Sequence, residues 1–209
     1  MHNNRITAAL APENCSGVVL AGGEGSRMGG VDKGLLAPQG EAVVTLLLRQ
    51  LQPQVSDLLV VVNRHLEIYQ QQAAPFNARV ITDLQPGFHG PLMGMASAMQ
   101  AATSDYLLFT PCDNWQLPPH YATRMFAALK AQQATIAVAR NSEGPQRIHA
   151  LLPRKLLEDL LAFLARGERA VGIWYRQHHT IEVDFSDAES ALVNRNHPAE
   201  WQAAADTLH

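Results

Sequence analysis

Short apolar segments alternate with helical patterns along most of this 209-residue chain. A short apolar run between turn-forming residues is typical of a buried strand, and apolar residues three or four positions apart are typical of a helix. Strands that alternate with helices tend to pair in parallel, because each helix carries the chain back across the sheet. The alternation therefore predicts an α/β fold in which helices cover both faces of a mainly parallel sheet.

The same patterns predict where each element lies. The expected strands are Gly17–Leu20, Leu58–Val62, Arg79–Thr82, Tyr106–Thr110, Thr135–Ala139, Ile148–Leu152 and Thr180–Phe185. The expected helices are Glu41–Leu51, Leu66–Gln72, Pro91–Ala102, Pro119–Gln132, Arg154–Arg166 and Pro198–Ala205. Residues 140–145 are rich in turn formers, so we expect a surface loop there between two strands. Residues 1–15 are expected to form a flexible N-terminal leader, and residues 16–209 a single domain.

Composition limits the classes of function. The chain is 47% hydrophobic and 17% charged, with a formal net charge of -3. Such a balance gives no general attraction to nucleic acid or to a membrane surface, so any phosphate recognition has to be local. No run reaches the roughly 20 apolar residues of a membrane span. The two cysteines, Cys15 and Cys112, lie far apart in sequence and form no C-x-x-C pair, which argues against a zinc site or a disulfide framework. The reducing cytoplasm is therefore the expected location.

The segment from Gly17 to Gly34 carries the clearest functional signal. A strand-like run leads into a glycine-rich loop, and glycine allows backbone N–H groups to approach a phosphate closely. Arg27 and Lys33 add two positive charges to the same loop. The segment therefore predicts a binding site for the phosphates of a nucleoside triphosphate. The plain alternative is an ordinary surface loop.

Two better-known phosphate motifs do not match this loop. The dinucleotide-binding fingerprint needs a third glycine three residues after the second, and counting from Gly23 and Gly25 that position holds Met28. The P-loop needs a serine or threonine after its lysine, but Gly34 follows Lys33 here. The sequence therefore favours a phosphate loop of a third kind.

Two aspartates follow predicted strands, at the edge of the sheet where α/β folds bind their ligands. Asp113 comes directly after the run Tyr106–Cys112, and a carboxylate there could hold Mg²⁺ on a triphosphate. Asp83 follows the run Arg79–Thr82 in the same way. Each aspartate could instead occupy a turn or cap a helix, which are common roles for this residue type.

Small residues and amides supply further candidates. Gly90 and Gly94 could let a base or a ribose approach the backbone, but they could equally serve tight helix packing. Asn194 and Asn196 precede the last predicted helix, where they could face a phosphate or a second substrate, or cap the helix. The nine histidines show no metal-ligand spacing. These residues leave the second substrate open.

Taken together, these motifs closely resemble those of the molybdenum cofactor guanylyltransferases, the MobA family. The resemblance covers about residues 16 to 205. It is carried by Leu20-Ala21-Gly22-Gly23, Arg27-Met28-Gly29-Gly30, Asp32-Lys33-Gly34-Leu35-Leu36, Asn63-Arg64-His65, Gly90-Pro91-Leu92, Pro111-Cys112-Asp113, Asp184-Phe185-Ser186-Asp187 and Asn194-x-Asn196. The first of these motifs occurs in many nucleotidyltransferases. The arginine and lysine motifs followed by Pro-Cys-Asp are shared by far fewer proteins and are therefore more specific to the family.

The resemblance implies a three-layer, Rossmann-like nucleotidyltransferase fold. It also implies GMP transfer from GTP to Mo-molybdopterin with Mg²⁺ as cofactor, and release of pyrophosphate. By position, the implied nucleotide contacts are Leu20, Ala21, Gly22, Gly23, Arg27, Lys33, Asn63, Asp83 and Asp113. Arg27, Lys33 and Asp113 would be catalytic, Asp113 would also hold the metal, and Asn194 and Asn196 would bind the pterin. Transient contacts with other cofactor-biosynthesis proteins and acceptor molybdoenzymes are implied as well, without nucleic acid or membrane partners.

The sequence departs from the family pattern at two places. Val61 stands where the family often has an asparagine, so a nucleotide contact is either lost or moved to Asn63. The usual Asn-Thr-Pro-Glu-Glu ending is replaced by residues 196–200, which read Asn-His-Pro-Ala-Glu.

Two alternatives to GMP transfer belong to the same chemistry: CMP transfer to molybdopterin, and the reaction of another nucleotidyltransferase. A nucleotide-binding protein without turnover is the alternative from another class.

Overall fold

The computed structural model describes residues 14–23, 29–85, 87, 89–195 and 201. Within these residues, seven strands form one sheet: β1 Cys15–Leu20, β2 Asp57–Val62, β3 Arg79–Thr82, β4 Tyr106–Pro111, β5 Ile136–Asn141, β6 Gly144–Pro153 and β7 Thr180–Asp184. The α-helices are α1 Val43–Leu51, α2 Leu66–Ala73, α3 Pro91–Ala101, α4 Tyr121–Ala131, α5 Leu157–Ala165 and α6 Val171–Tyr175. Short 3-10 helices span Lys33–Leu35, Gln52–Gln54, Ala74–Phe76, Arg154–Leu156 and Ser186–Leu192.

The strands run in the order β3-β2-β1-β4-β6-β5-β7 across the sheet. Strands β1 to β4 are parallel to one another, and β7 is parallel to β5. Strand β6 is antiparallel to both of its neighbours, β4 and β5. The mainly parallel sheet predicted from the sequence is therefore confirmed, with one reversed strand.

Helices cover both faces of the sheet, as the alternating pattern predicts. On one face, α1, α2 and α4 bury residues such as Leu47, Tyr69 and Met125 against the strands. On the other face, α3, α5 and α6 bury residues such as Met95 and Phe163. Alternate residues of one strand serve both cores: Val19 belongs to the first and Val18 to the second. The three-layer arrangement is thus confirmed.

The predicted boundaries need several corrections. The residues 140–145 are mostly strand: β5 continues to Asn141 and β6 begins at Gly144, so only a two-residue turn separates them. Helix α4 begins at Tyr121 and not at Pro119, because His120 has a left-handed backbone with φ 55° and precedes the first helical residue. The short helix α6 was not predicted. Of the last predicted helix, Pro198–Ala205, Trp201 alone lies inside the described residues. Residues 1–13 of the predicted leader lie outside them.

Candidate functional site

Strands β1 and β4 are neighbours at the centre of the sheet, and their carboxyl ends lie side by side, with Leu20 opposite Pro111. From β1 the chain moves outward to β2 and β3, and then crosses back through α3 to β4. The loops after β1 and β4 therefore leave the sheet in opposite directions. A crevice opens at such a point in open α/β sheets, and ligands bind there.

A cavity of about 340 Å³ occupies this crevice. It is lined by Leu20, Gly22, Gly23, Val61, Asn63, Asp83, Gly90, Pro91, Gly94, Pro111 and Ile148. Most of the lining is apolar, and Asn63 and Asp83 add polar side chains. Apolar walls with a few convergent polar groups are typical of a small-molecule site. Five of the nine residues assigned to the nucleotide from the sequence thus lie together in the cavity wall, and the other lining residues are Val61, Gly90, Pro91, Gly94, Pro111 and Ile148.

The polar wall of the cavity is a connected hydrogen-bond network. The side-chain amide of Asn63 donates to the Gly22 carbonyl at 2.9 Å and to Asp83 Oδ2 at 2.8 Å. The Ser97 hydroxyl approaches Asp83 Oδ1 at 3.3 Å. Burial raises the pKa of Asp83, although the bonds from Asn63 and Ser97 oppose the rise. A Cβ at position 22 would lie 2.8 Å from Asn63 Nδ2, so a larger residue there would have to displace the amide that holds this network together.

A second network fixes the end of the glycine-rich loop around the buried carboxylate of Asp32. This carboxylate accepts from the Gly34 backbone N–H at 3.2 Å and from the Tyr69 hydroxyl at 2.5 Å. His65 Nδ1 lies 3.0 Å from it, and Arg64 Nε lies 3.4 Å from it. Charge-assisted bonds of this kind are stronger than neutral ones. Asp32 therefore ties the loop to β2 and α2, a role that the sequence reading missed.

Lys33 follows Asp32 and reaches across to the C-terminal segment. Its Nζ donates to the Arg195 carbonyl at 2.7 Å, and the Arg195 backbone N–H donates to the Asp113 carbonyl at 2.9 Å. Trp201 Nε1 also donates to the Arg195 carbonyl, at 3.2 Å. The predicted phosphate lysine and the predicted metal aspartate are therefore joined through one backbone segment, although 80 positions separate them in sequence.

Asp113 lies two residues after the end of β4 and is partly buried. Burial raises its pKa to about 6, against the lowering effect of the nearby Lys33 and Arg195 charges. Ionising a buried carboxyl group is costly when the group is alone, but the ionised form becomes favourable once a cation lies beside it. Asn194 lies against the same carboxylate, with an amide atom 2.9 Å from Asp113 Oδ2. Carboxylate and amide oxygens are the ligands that Mg²⁺ and Ca²⁺ prefer.

The Arg195 side chain packs against the two residues that follow Asp113. Its guanidinium donates to Asn114 Oδ1 at 2.7 Å and lies 4.4 Å from the centre of the Trp115 ring. The side chain is 9% exposed, so it anchors the segment that carries Asn194. Two other predicted site residues, Arg27 and Asn196, lie outside the described residues.

The two cysteine thiols are buried and unreactive. Both cysteines are buried and free, and burial raises the pKa of the Cys15 thiol to about 12 and that of the Cys112 thiol well above its usual range. Thiolate chemistry is thus disfavoured at both cysteines. Within the described part of the chain, no three His, Cys, Asp or Glu side chains cluster as a metal site, and no helix is long and apolar enough to cross a membrane.

Comparison with known proteins places this geometry in a class. A nucleotidyl transferase from Methanothermobacter has the same fold, with a TM-score of 0.74 at 20% identity over 94% of this chain and 98% of that one. Molybdopterin-guanine dinucleotide biosynthesis protein A from Archaeoglobus fulgidus aligns with a TM-score of 0.75 at 16% identity, over 92% of this chain and 98% of that one. The chain therefore has the Rossmann-like α/β fold that these two proteins share.

Sequence similarity then gives the family. The model of the MobA-like NTP transferase domain matches residues 17–181. The molybdenum cofactor guanylyltransferase of Burkholderia orbicola (strain MC0-3) is 44% identical over 202 residues, which cover 94% of this chain and 97% of the relative. The chain belongs to the MobA-like NTP transferase family, and the resemblance found in its motifs is confirmed.

Proposed function

We propose that this protein transfers GMP from GTP to Mo-molybdopterin, which forms the guanine dinucleotide form of the molybdenum cofactor and releases pyrophosphate. The observation that carries the proposal is the arrangement at one sheet edge. The Asp83 carboxylate lies in the wall of a cavity that Leu20 of β1 and Pro111 of β4 also line. On the loops after these two strands, Lys33 and Asp113 are joined through the backbone of Arg195. The name of the relative from Burkholderia orbicola supports the same reaction.

The cavity wall favours guanine over cytosine. The Asp83 carboxylate can only accept hydrogen bonds when it is ionised, and Asn63 and Ser97 fix its position. The Watson–Crick edge of guanine offers two adjacent donors, N1–H and the N2 amino group. Cytosine offers a single donor group on that edge, its N4 amino group, next to two acceptors. A fixed carboxylate therefore pairs with guanine and leaves the cytosine acceptors unmatched.

Lys33 and the loop N–H groups are suited to the triphosphate. Lys33 lies in the short 3-10 helix after the glycine-rich loop, and its Nζ lies 2.7 Å from the Arg195 carbonyl. From there the ammonium group can turn toward a phosphate at the crevice. We include Arg27 in the same role from its position in the loop motif. These positive charges offset the charge that develops on the departing pyrophosphate.

Asp113 and Asn194 are the oxygen-bearing side chains that fit a divalent cation in this site. Magnesium usually binds proteins through one or two such ligands, together with substrate phosphates and water. When bound, it would neutralise charge on the triphosphate. Asn194 is exposed, so it can also meet the second substrate, and we keep Asn194 and Asn196 as the proposed pterin contacts.

The proposed step is an in-line displacement at phosphorus. An oxygen of the terminal phosphate of molybdopterin forms a bond to the α-phosphorus of GTP, and the bond between that phosphorus and the bridging oxygen to the β-phosphate breaks. The electron pair leaves with pyrophosphate. A phosphate nucleophile is already ionised at neutral pH, so the site needs no strong general base, and positioning and charge neutralisation supply the catalysis.

The substitution Asp113→Asn tests this site. It removes one negative charge and keeps the shape of the side chain, so we expect a folded protein with pyrophosphate release reduced by at least about 100-fold, as for the loss of a key electrostatic group. The exposed aspartate Asp187, which pairs with Arg124, provides a matched control as Asp187→Asn. Full activity of Asp113→Asn would refute the assignment, as would an equal loss in the control.

A further inference from the structure

A row of three side-chain amides connects the β5–β6 hairpin to Asp113. The row begins at Asn141, the last residue of β5, and continues through Gln146 in β6 to Asn194. Asn141 is 1% exposed and Gln146 is 8% exposed, while Asn194 is exposed and lies beside Asp113. Buried amides need a partner for each polar group, so the direction of each one in the row is constrained by its neighbours.

Backbone groups fix the first amide. Asn141 Nδ2 donates to the Leu192 carbonyl at 3.2 Å, and Asn141 Oδ1 accepts from the Glu143 backbone N–H at 3.1 Å. Neither backbone group can exchange its role, because a carbonyl only accepts and an N–H only donates. The oxygen of Asn141 must therefore face Gln146.

The second amide follows from the first. Gln146 Nε2 donates to Asn141 Oδ1 at 3.0 Å, and the same nitrogen lies 3.4 Å from the Gly144 carbonyl. Both neighbours are acceptors, so the nitrogen of Gln146 has to point toward them. Its Oε1 consequently faces Asn194, where it accepts from Nδ2 at 2.8 Å.

The third amide then presents its oxygen to Asp113. That atom lies 2.9 Å from Asp113 Oδ2 and 3.3 Å from Oδ1. Turning the Asn194 amide over would give the carboxylate an N–H donor, but it would also set the Asn194 oxygen against Gln146 Oε1 at 2.8 Å. The row resists that turn, and two oxygens are left facing each other across a gap that suits a cation. Adjacent oxygens around octahedral Mg²⁺ lie about 2.9 Å apart when each is 2.0–2.1 Å from the metal.

From this directed row we infer that Gln146, held by Asn141, is a positioning residue that turns the Asn194 oxygen toward the cation site at Asp113. The inference rests on the proposed function, since it takes the cation of the nucleotide complex as the group that fills the gap. It assigns Asn194 a cation-facing oxygen in addition to its proposed contact with the second substrate. Outer partners of this kind orient the ligands of a metal and tune its affinity.

The substitution Gln146→Met tests the inference. Methionine keeps the length of the side chain and removes both hydrogen-bonding groups, while Asn141 retains its two backbone partners, so the fold should persist. The Asn194 amide can then turn its nitrogen toward Asp113. We expect the dissociation constant of Mn²⁺ in the complex with GTP to rise about tenfold, within the range for the loss of an outer partner. Electron paramagnetic resonance of free Mn²⁺, with protein in excess over GTP, measures it.

A second background separates orientation from a general structural effect. In Asn194→Asp both side-chain atoms are oxygens, so the direction of the group no longer matters. We expect Gln146→Met to leave Mn²⁺ affinity unchanged in that background. Gln177→Met, at an exposed position, controls for the substitution itself. Equal weakening by Gln146→Met in both backgrounds, or no weakening in either, would overturn the inference.

The unaltered protein allows a measurement that needs no variant to fold. With asparagine labelled at ¹³Cγ, addition of Mg²⁺ to the GTP complex should shift the Asn194 resonance, which is assigned by its loss in Asn194→Asp. An unmoved resonance at saturating Mg²⁺ would overturn the inference and remove Asn194 from the proposed cation site, while the proposed GMP transfer and the role of Asp113 would stand. If the protein binds Mn²⁺ no more tightly than GTP alone does, the cation assignment in the proposed function fails, and the inference fails with it.

Discussion

The substitution Gly34→Ala should expose how tightly the phosphate loop is fixed. A Cβ at this position would overlap the hydroxyl of Tyr69 and lie 3.0 Å from its Cζ atom. Tyr69 is fully buried, and its hydroxyl donates to Asp32 Oδ1 at 2.5 Å. The ring therefore cannot retreat without giving up that bond. Lys33 lies between Asp32 and Gly34, so a displaced loop also moves the proposed phosphate lysine.

The expected loss in the free energy of unfolding has two contributions. Loss of a hydrogen bond to a charged group costs about 1.5–3 kcal/mol, and we take about 2 here because Asp32 keeps its other partners. Forcing extra volume into a packed site costs about 1–3 kcal/mol. Gly34→Ala should thus lower the free energy of unfolding by about 3 kcal/mol, and Tyr69→Phe by about 2 kcal/mol. The double variant should lose about 2 kcal/mol and not 5, because the same bond is lost once and the hydroxyl overlap is gone.

Urea unfolding of the four proteins measures these values, with an unchanged m value as the check that the midpoints report stability. Gly23→Ala is the matched control, because a Cβ there meets no atom of the residues that the structure describes within 4 Å, and it should change stability by less than about 0.5 kcal/mol. Additive losses in the double variant, within about 0.5 kcal/mol, would refute the proposed link between Gly34, Tyr69 and Asp32.

Two further predictions concern acid stability and the cavity. Burial lowers the pKa of His149 to about 3, so the unfolded chain takes up this proton from about pH 6.5 downward while the folded protein does not. The free energy of unfolding therefore decreases as the pH is lowered from about 6.5 to about 3. In urea titrations, the free energy of unfolding of His149→Leu should decrease by up to about 1.4 kcal/mol less per pH unit than that of the unaltered protein, and equal slopes would contradict this. Gly94→Ala sets a methyl 3.2 Å from Leu20 Cδ2 and 3.6 Å from Asp83 Oδ1, at the cavity wall. Calorimetry should show GTP binding weakened about tenfold, or 1.4 kcal/mol, with little change in Tm; unchanged affinity would remove Gly94 from the nucleotide site.

The sequence predicted the strands well because each apolar run is a local signal. Strand β3 has the predicted bounds, and β1, β2 and β4 differ from theirs by one or two residues. The direction of β6 was not predictable in this way, since parallel and antiparallel strands share the same period. The polar residues 140–145 suggest a loop, yet strand pairing with β6 reaches Asn141 because the two-residue turn closes tightly there. Helix α6 spans five residues, too few to show a period.

The positions of two candidate site residues follow from the strands that precede them. Asp83 and Asp113 each follow an apolar run; Asp83 lines the cavity, and Asp113 comes two residues after Pro111, which also lines it. Their roles stay predictions. The roles of Asp32 and Gln146 were not predictable, because their partners come from distant parts of the chain. Gln146 meets Asn194 across 48 positions, and no local pattern records such a contact.

Pyrophosphate release in the presence of Mo-molybdopterin, with GTP compared against CTP, tests the central claim most directly. With GTP we expect one pyrophosphate for each acceptor consumed, and with CTP a rate lower by at least about tenfold, since a fixed carboxylate mismatches the cytosine edge by about 1.4 kcal/mol or more. Faster release with CTP, or tight GTP binding without any pyrophosphate release, would contradict the account.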